Sequence, residues 1–335
     1  MKYRIIAVVV LGLLVANLGG STFADSKAKR AAFSQLVSLL PASDALVTLD
    51  AKRFFNEAMP QVLSANPTFL GKITGHMEEI RTKIGVDVRQ FDDVVVGISA
   101  RHVGVKNHDV DMVAIARGQS SAAAMIEAAK SKTAGKFREE RVGSRVMYIF
   151  EPQNAVTQAP PATVGGSLRE VGVVALDDRT IAFGDVVRVR QTLLGNTKIG
   201  ADLSGMVARN PAAIASFAAK PPAGLSAYIP LSNDELGKNI ESIQYIYGNA
   251  NVVAGNATVN VTARTQQNAQ ATGLLEAIEG LQIVGKAILG GSKAPDKRVY
   301  ARLIESAKLS VRANELTLDL TVPQSDIDVL VGTLK

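Results

Sequence analysis

The residues able to do chemistry are few. Cysteine is absent and histidine occurs three times in 335 residues, which excludes thiol catalysis, disulfides and thiolate metal sites. His102 and His108 share the stretch HVGVKNHDVD with Asp109 and Asp111, and imidazole with carboxylate is a zinc donor set. Their spacing matches no metal-ligand pattern, and a polar hairpin loop accounts for them. His76 lies beside an apolar helical stripe and reads as a boundary or surface residue. No run of acids has the ligand density of a calcium loop.

Acids pair at Asp92-Asp93, Glu139-Glu140 and Asp177-Asp178. Glycosidase chemistry needs two carboxylates on opposite sides of the scissile bond, an arrangement that sequence neighbours rarely supply. The segment GLQIVGKA (Gly280–Ala287) nearly spells a phosphate-binding loop. However, Ala287 stands where the metal-binding hydroxyl belongs, and the middle residues continue a helical stripe. No G-x-S-x-G elbow is present. Tyr245 and Tyr247 share one strand face and could stack on a sugar or peptide, but strand-face core packing is the preferred reading. The sequence therefore names no catalytic, cofactor-binding or metal residue and implies no cofactor.

Charge is the next signal. The formal net charge is +6, and the segment 286–312 concentrates it. Lys286, Lys293, Lys297, Arg298, Arg302, Lys308 and Arg312 face only Asp296 and Glu305 there. Such a stretch suits a polyanion or an anionic membrane surface, and otherwise reads as a solvated helix face. Nucleic acid is disfavoured, because Tyr300 is its lone aromatic and stacking platforms are missing.

The N-terminus has the three parts of a secretory signal peptide: Lys2 and Arg4, an apolar core from Ile5 to Leu18, and Thr22-Phe23-Ala24 before a cut at Asp25. The core is shorter than the roughly 20 residues that span a bilayer, and no later segment is apolar enough to span. The expected product is exported to the periplasm or the outside after cleavage near Ala24. Retention of the leader as an anchor is the other outcome.

Periodicity supplies the elements that position these residues. Asp44–Asp50 reads as a strand. Phe54, Phe55, Ala58, Met59 and Val62 read as a helix that Pro60 must kink or restart, and Ile73, Met77, Ile80 and Ile84 as a second helix. Strand pairs follow around 101–109, at Gly143-Ser144 and at Asp177-Asp178, with helices near 120–131, 185–195 and 201–209. Residues 152–167 are Pro-, Gly- and Ser-rich and read as a mobile loop. The second half starts with a strand at Gly224–Leu231. Then come two strands, a long helix striped by Leu274, Ile278, Leu281 and Ile288, a hairpin at Ala313-Asn314 and a closing helix from Pro323.

The order repeats, and so does a motif: VAIARGQSS and VTARTQQN each run from an alternating apolar stretch through Ala-Arg into a helix. The expectation is an α+β chain of two tandem related units, 25–199 and 200–335, each an antiparallel sheet with helices on one face. In the second unit Val259, Val261 and Ala263 alternate with Thr258, Asn260 and Thr262, so one sheet face should meet water. In the first, Met112, Ala114 and Ala116 alternate with Val113 and Ile115. Both faces are apolar there, so the sheet should be covered, by the other unit or by the 152–167 loop, or else offer a binding face.

Three stretches carry a resemblance: Leu39–Leu63, with its Leu-Pro-x-x-x-Ala strand, IGVDVRQFDDVVVGI (84–98) and RNPAAIASFAAKPP (209–222). They resemble a group of uncharacterised exported bacterial proteins. That resemblance implies an exported two-part α+β architecture and transfers no catalytic residue. The functional expectation is an exported, non-catalytic binding or scaffolding protein of the cell envelope. The alternative is a hydrolase that gathers its carboxylates from separate segments.

Overall fold

The computed structural model describes residues 23–104, 107–133, 136–151, 170–222 and 234–333. The leader to Thr22, the 152–167 loop and the strand expected at Gly224–Leu231 lie outside the described residues.

Among the described residues twelve strands form one antiparallel sheet, not two. In chain order they are β1 (Ala45–Asp50), β2 (Phe91–Gly104), β3 (Asn107–Gly118), β4 (Phe137–Val142), β5 (Arg145–Phe150), β6 (Val171–Asp177), β7 (Thr180–Asp185), β8 (Ala215–Ala219), β9 (Ile243–Val253), β10 (Asn256–Thr265), β11 (Lys308–Arg312) and β12 (Glu315–Val322). Across the sheet the order is β11-β12-β10-β9-β8-β1-β2-β3-β7-β6-β5-β4. Reading outward from the central pair, one half runs β1-β2-β3-β7-β6 and the other β8-β9-β10-β12-β11. The β4–β5 hairpin extends the first half alone. The centre is closed by β1 against β8, with Val47 opposite Phe217. Both free edges carry charge, Arg138 to Arg141 on β4 and Lys308 and Arg312 on the short β11, which discourages further strand pairing.

Nine labelled helices pack on this sheet: α1 (Phe23–Val37), α2 (Pro67–Ile84), α3 (Ala122–Lys132), α4 (Val186–Leu194), α5 (Ala201–Val207), α6 (Asp234–Glu241), α7 (Asn268–Gly290), α8 (Pro295–Ser306) and α9 (Gln324–Gly332). A further helical stretch after β1 contains a π-turn, Phe54–Ala58, in which Met59 N–H bonds to the Phe54 carbonyl. It lies immediately before Pro60, whose missing N–H breaks the regular ladder.

Side chains alternate across each strand. In the first half Val95, Val113, Ile115, Val174 and Ala182 line one face, under Leu36 and Val37 of α1, Val189 of α4 and Leu203 and Met206 of α5. Ala116 and Ile181 line the other, under Ala122, Met125 and Ile126 of α3. Both apolar faces of β3 are thus buried within the chain, as expected, but by helices on both sides. The expectation of helices on one face is corrected for this half.

The second half keeps helices mainly on its apolar side. Leu274 of α7 meets Leu316 and Ile240, and Ile327 and Val331 of α9 meet Val252, Ala257 and Val322. Its opposite face presents Asn249, Asn260, Thr317 and Asp319, in the alternation read from β10.

Candidate functional site

The carboxylates were the first candidates, and the strand geometry separates them. Asp92 and Asp93 are neighbours on β2, where the register with β3 shifts, and they meet different partners, Asp92 lying 3.5 Å from Arg179. Asp93 pairs in register with Asp50 of β1, so two buried acids from separate segments do meet. Lys29 of α1 sits between them, with Nζ 3.0 Å from Asp50 Oδ2 and 2.5 Å from Asp93 Oδ1. Burial pushes the Asp93 carboxyl above the usual range, and the lysine only partly offsets it. Burial opposes the Lys29 charge, but its bonds to Asp93 and the charge of Asp50 outweigh that and raise its pKa. Arg117, across from Asp93 on β3, donates to Thr180 Oγ1 at 3.2 Å and to Gln35 Oε1 of α1 at 3.1 Å. The acids are a clamp for α1. Sequence reading missed Lys29, although Lys29, Phe33, Leu36, Val37 and Leu40 recur at helical spacing.

The other paired acids are also engaged. Glu140 binds Arg190 of α4 at 2.7 and 2.9 Å. Asp177 accepts from Arg179 N at 2.9 Å, within the turn. His102 and His108 are cross-strand partners at the end of the β2–β3 hairpin, and Asp111 lies opposite Ser99. His76 is exposed on α2, 3.5 Å from Glu79. Among the described residues no group of three potential metal ligands forms. GLQIVGKA lies inside α7, so its amides belong to the helix.

Tyr245 and Tyr247 do share a face, and both are occupied. The Arg209 guanidinium lies 4.7 Å over the Tyr247 ring and donates to its hydroxyl at 2.5 Å. Tyr245 donates to Asp202 Oδ2 at 2.5 Å, while Lys220 lies over its ring. Glu315 joins Arg264 at 2.9 Å and Arg209 at 3.4 Å. The hydrogen bond to Asp202, then burial, raises the Tyr245 phenol. Burial and Glu315 do the same for Tyr247. With their rings covered by cations, neither tyrosine offers a stacking face. Farther along the same polar face, Asn249, Thr258, Asn260, Lys308, Asp319 and Thr321 help line an open cleft of about 340 Å³. Asp319 is the single carboxylate among its described lining residues, and Asn260 already donates to it at 2.7 Å.

The remaining candidate is the basic stretch. The structure divides it: Lys286, Lys293, Lys297, Arg298 and Arg302 lie on the α7–α8 helical hairpin, and Lys308 and Arg312 on the edge strand β11. Lys286 is ion-paired with Glu305, and Arg302 with the buried Asp326 of α9. Lys293, Lys297 and Arg298, around the α7–α8 turn, have no ion-pair partner among the described residues. Beside them the expected core stripe of α7 fails. Leu274 is buried and Ile278 packs, but Leu281 is 43 % exposed, Val284 53 %, Ile288 71 %, and Ile283 72 %. The physical reason is reach: α8 takes only the Gln282–Gly285 side of α7, where Gln282 donates to the Ile304 carbonyl at 3.0 Å. An uncharged aliphatic arc therefore lies next to three cations that have no ion-pair partner among the described residues.

Comparison with known proteins adds a likeness of shape. No family model matches the chain. No curated protein matches it in sequence. It is similar to solved structures of TP0453: crystal form III, at 8 % identity and TM-score 0.47, covering 88 % of this chain and 97 % of that one; and crystal form I, at 10 % identity and TM-score 0.45, covering 89 % and 96 %. No helix among the described residues is long and apolar enough to cross a membrane.

Proposed function

We propose that this chain is an exported, non-catalytic envelope protein that docks on an anionic membrane surface through the α7–α8 tip. The observation that carries the reading is the juxtaposition of exposed Leu281, Ile283, Val284 and Ile288 with unpaired Lys293, Lys297 and Arg298. Each cation near an anionic surface contributes about 1 kcal/mol, and the aliphatic arc adds burial. The signal-peptide pattern supports export, with cleavage near Ala24 and delivery to the periplasm or outside. The resemblance to the exported bacterial group fits the same address. The hydrolase alternative draws no support from the carboxylates, since Asp50 and Asp93 already share Lys29.

We further propose that 25–199 and 200–335 are related units that share one sheet. Matched details favour this. Arg117 and Arg264 stand at corresponding ends of β3 and β10, and each donates to the first residue of its neighbour, Thr180 or Glu315. The second turn residue of each outer hairpin, Arg179 or Asn314, accepts through its carbonyl from Gly118 N or Thr265 N. Its side chain donates back to the same segment. In this alignment the turn Asp178-Arg179 matches Ala313-Asn314.

Co-sedimentation of the mature chain with phosphatidylglycerol vesicles tests the docking. Binding should exceed that to phosphatidylcholine and weaken with salt, as the Debye length falls from about 10 Å at 0.1 M to about 3 Å at 1 M. Lys293, Lys297 and Arg298 replaced together by Gln should abolish the lipid preference. Arg302 is left intact because it neutralises Asp326. Equal binding by the triple variant and the parent would remove the basis of the reading.

A further inference from the structure

We infer that the α7–α8 tip selects bilayers with loosely packed headgroups over tightly packed ones of the same composition. This rests on the membrane-docking reading and adds the physical state of the partner. Between Gly280 and Gly290 the exposed positions of α7 are Gly280, Leu281, Ile283, Val284, Lys286, Ala287, Ile288 and Gly290, and Lys286 is the one charge among them. Lys286 is spent on Glu305, and the helix's other charges, Glu276 and Glu279 before the arc, are acids that an anionic surface repels. The helix therefore has no surplus cation of its own. The unpaired cations come after it, in the turn and the first turn of α8.

A helix with a strongly basic polar face is drawn onto any anionic bilayer. One without it is held by burial of its apolar arc alone, and burial depends on gaps between headgroups. The arc suits gaps rather than a continuous apolar plane, because its large side chains are separate aliphatic projections spaced by Gly280, Ala287 and Gly290. It contains no tryptophan, tyrosine or phenylalanine to anchor at the headgroup level. The eleven residues from Gly280 to Gly290 extend roughly 16 Å, enough to lie in the interface and too short for the ~30 Å hydrocarbon core. Charge and packing thus act through different residues and can be separated.

The experiment uses the mature chain and vesicles of equal phosphatidylglycerol and phosphatidylcholine, prepared as small sonicated and as large extruded particles. Binding should be severalfold tighter per lipid on the small vesicles. Ile283→Ser with Ile288→Ser should bring that ratio close to one, with unchanged thermal unfolding showing that the fold is intact. Lys293→Gln, Lys297→Gln and Arg298→Gln together should weaken binding to both sizes while keeping the ratio. Binding by the parent chain with a ratio near one would overturn the inference and leave docking standing. No binding to either vesicle would remove docking and the inference with it. A dimer in sedimentation velocity that the serine variant dissociates would assign the arc to a second copy and overturn the inference.

Discussion

Replacing Lys29 by Met takes away the cation that Asp50 and Asp93 share, while keeping most of the side chain's apolar stem. Asp50 is 2 % and Asp93 6 % exposed, so water cannot take the ammonium's place. Breaking a buried ion pair from one side costs about 3–5 kcal/mol. Lys29 is 24 % exposed at its side chain, and Arg53 lies 4.0 Å from Asp50, so the lower end applies, about 3 kcal/mol. For a chain of this size each kcal/mol moves Tm by roughly 2–4 °C. The expected drop is therefore about 6–12 °C by calorimetry at neutral pH. Adding Asp93→Asn removes one stranded charge, and the double variant should recover about half of the loss or more. The two substitutions are in contact and should not add. A Tm within 2 °C of the parent for Lys29→Met, on the scale of roughly 1 kcal/mol or less, would refute the clamp and leave α1 held by Phe33, Leu36 and Val37 alone.

Other expectations follow from single features. Tyr245 and Tyr247 have raised folded-state pKa values, so the stability they contribute is complete below the ordinary phenol value of about 10. It is lost as pH rises through the higher folded values. Spectrophotometric titration should show late-ionising phenols that Tyr245→Phe and Tyr247→Phe remove one at a time, and melting curves should fall over that alkaline range. Gly184 has φ +147°, and a Cβ there would run into the Met112 carbonyl of β3. Gly184→Ala should cost about 1–3 kcal/mol, read from denaturant unfolding, and a neutral result would contradict the close approach. Arg302→Gln leaves Asp326 buried beside a neutral amide and should destabilise more than Arg298→Gln, which touches no acid. Equal unfolding midpoints would show the Arg302 pair to be inert.

Local elements were legible because their signals are local. Alternation gave the hairpin strands, Asp185 and Gly195 bracketed α4, and Pro60 announced the π-turn in front of it. The polar alternation of β10 put Thr258 and Asn260 on one face as read, but Thr262 on that face is buried. What the sequence did not disclose depends on partners far away in the chain. Ala215–Ala219 is five small or apolar residues without a clear period, and it becomes a central strand only because β1 and β9 flank it. Leu281 and Ile288 carry the same periodicity as Leu274, and only the limited reach of α8 decides that they project outward. The Asp50–Asp93 meeting needs two strands in register and a helix from the N-terminus, which no spacing rule encodes. The acid pairs adjacent in sequence drew attention, while the pair that the fold assembles was formed by residues 43 positions apart.

The pairing of β1 with β8 has a further consequence for the order of assembly. Ala45 lies beside Ala219, so the first strand to emerge during synthesis stays open along one side until some 170 more residues have followed. Lys29 emerges earlier still and has no seat until Asp93 and Arg117 are in place. β1 cannot complete its pairing while the second half is missing, and closing such a long loop carries an entropic cost that local hairpins do not. Under the export proposed above, which would thread the chain unfolded through a pore, this delay would keep the β1–β8 seam open during passage.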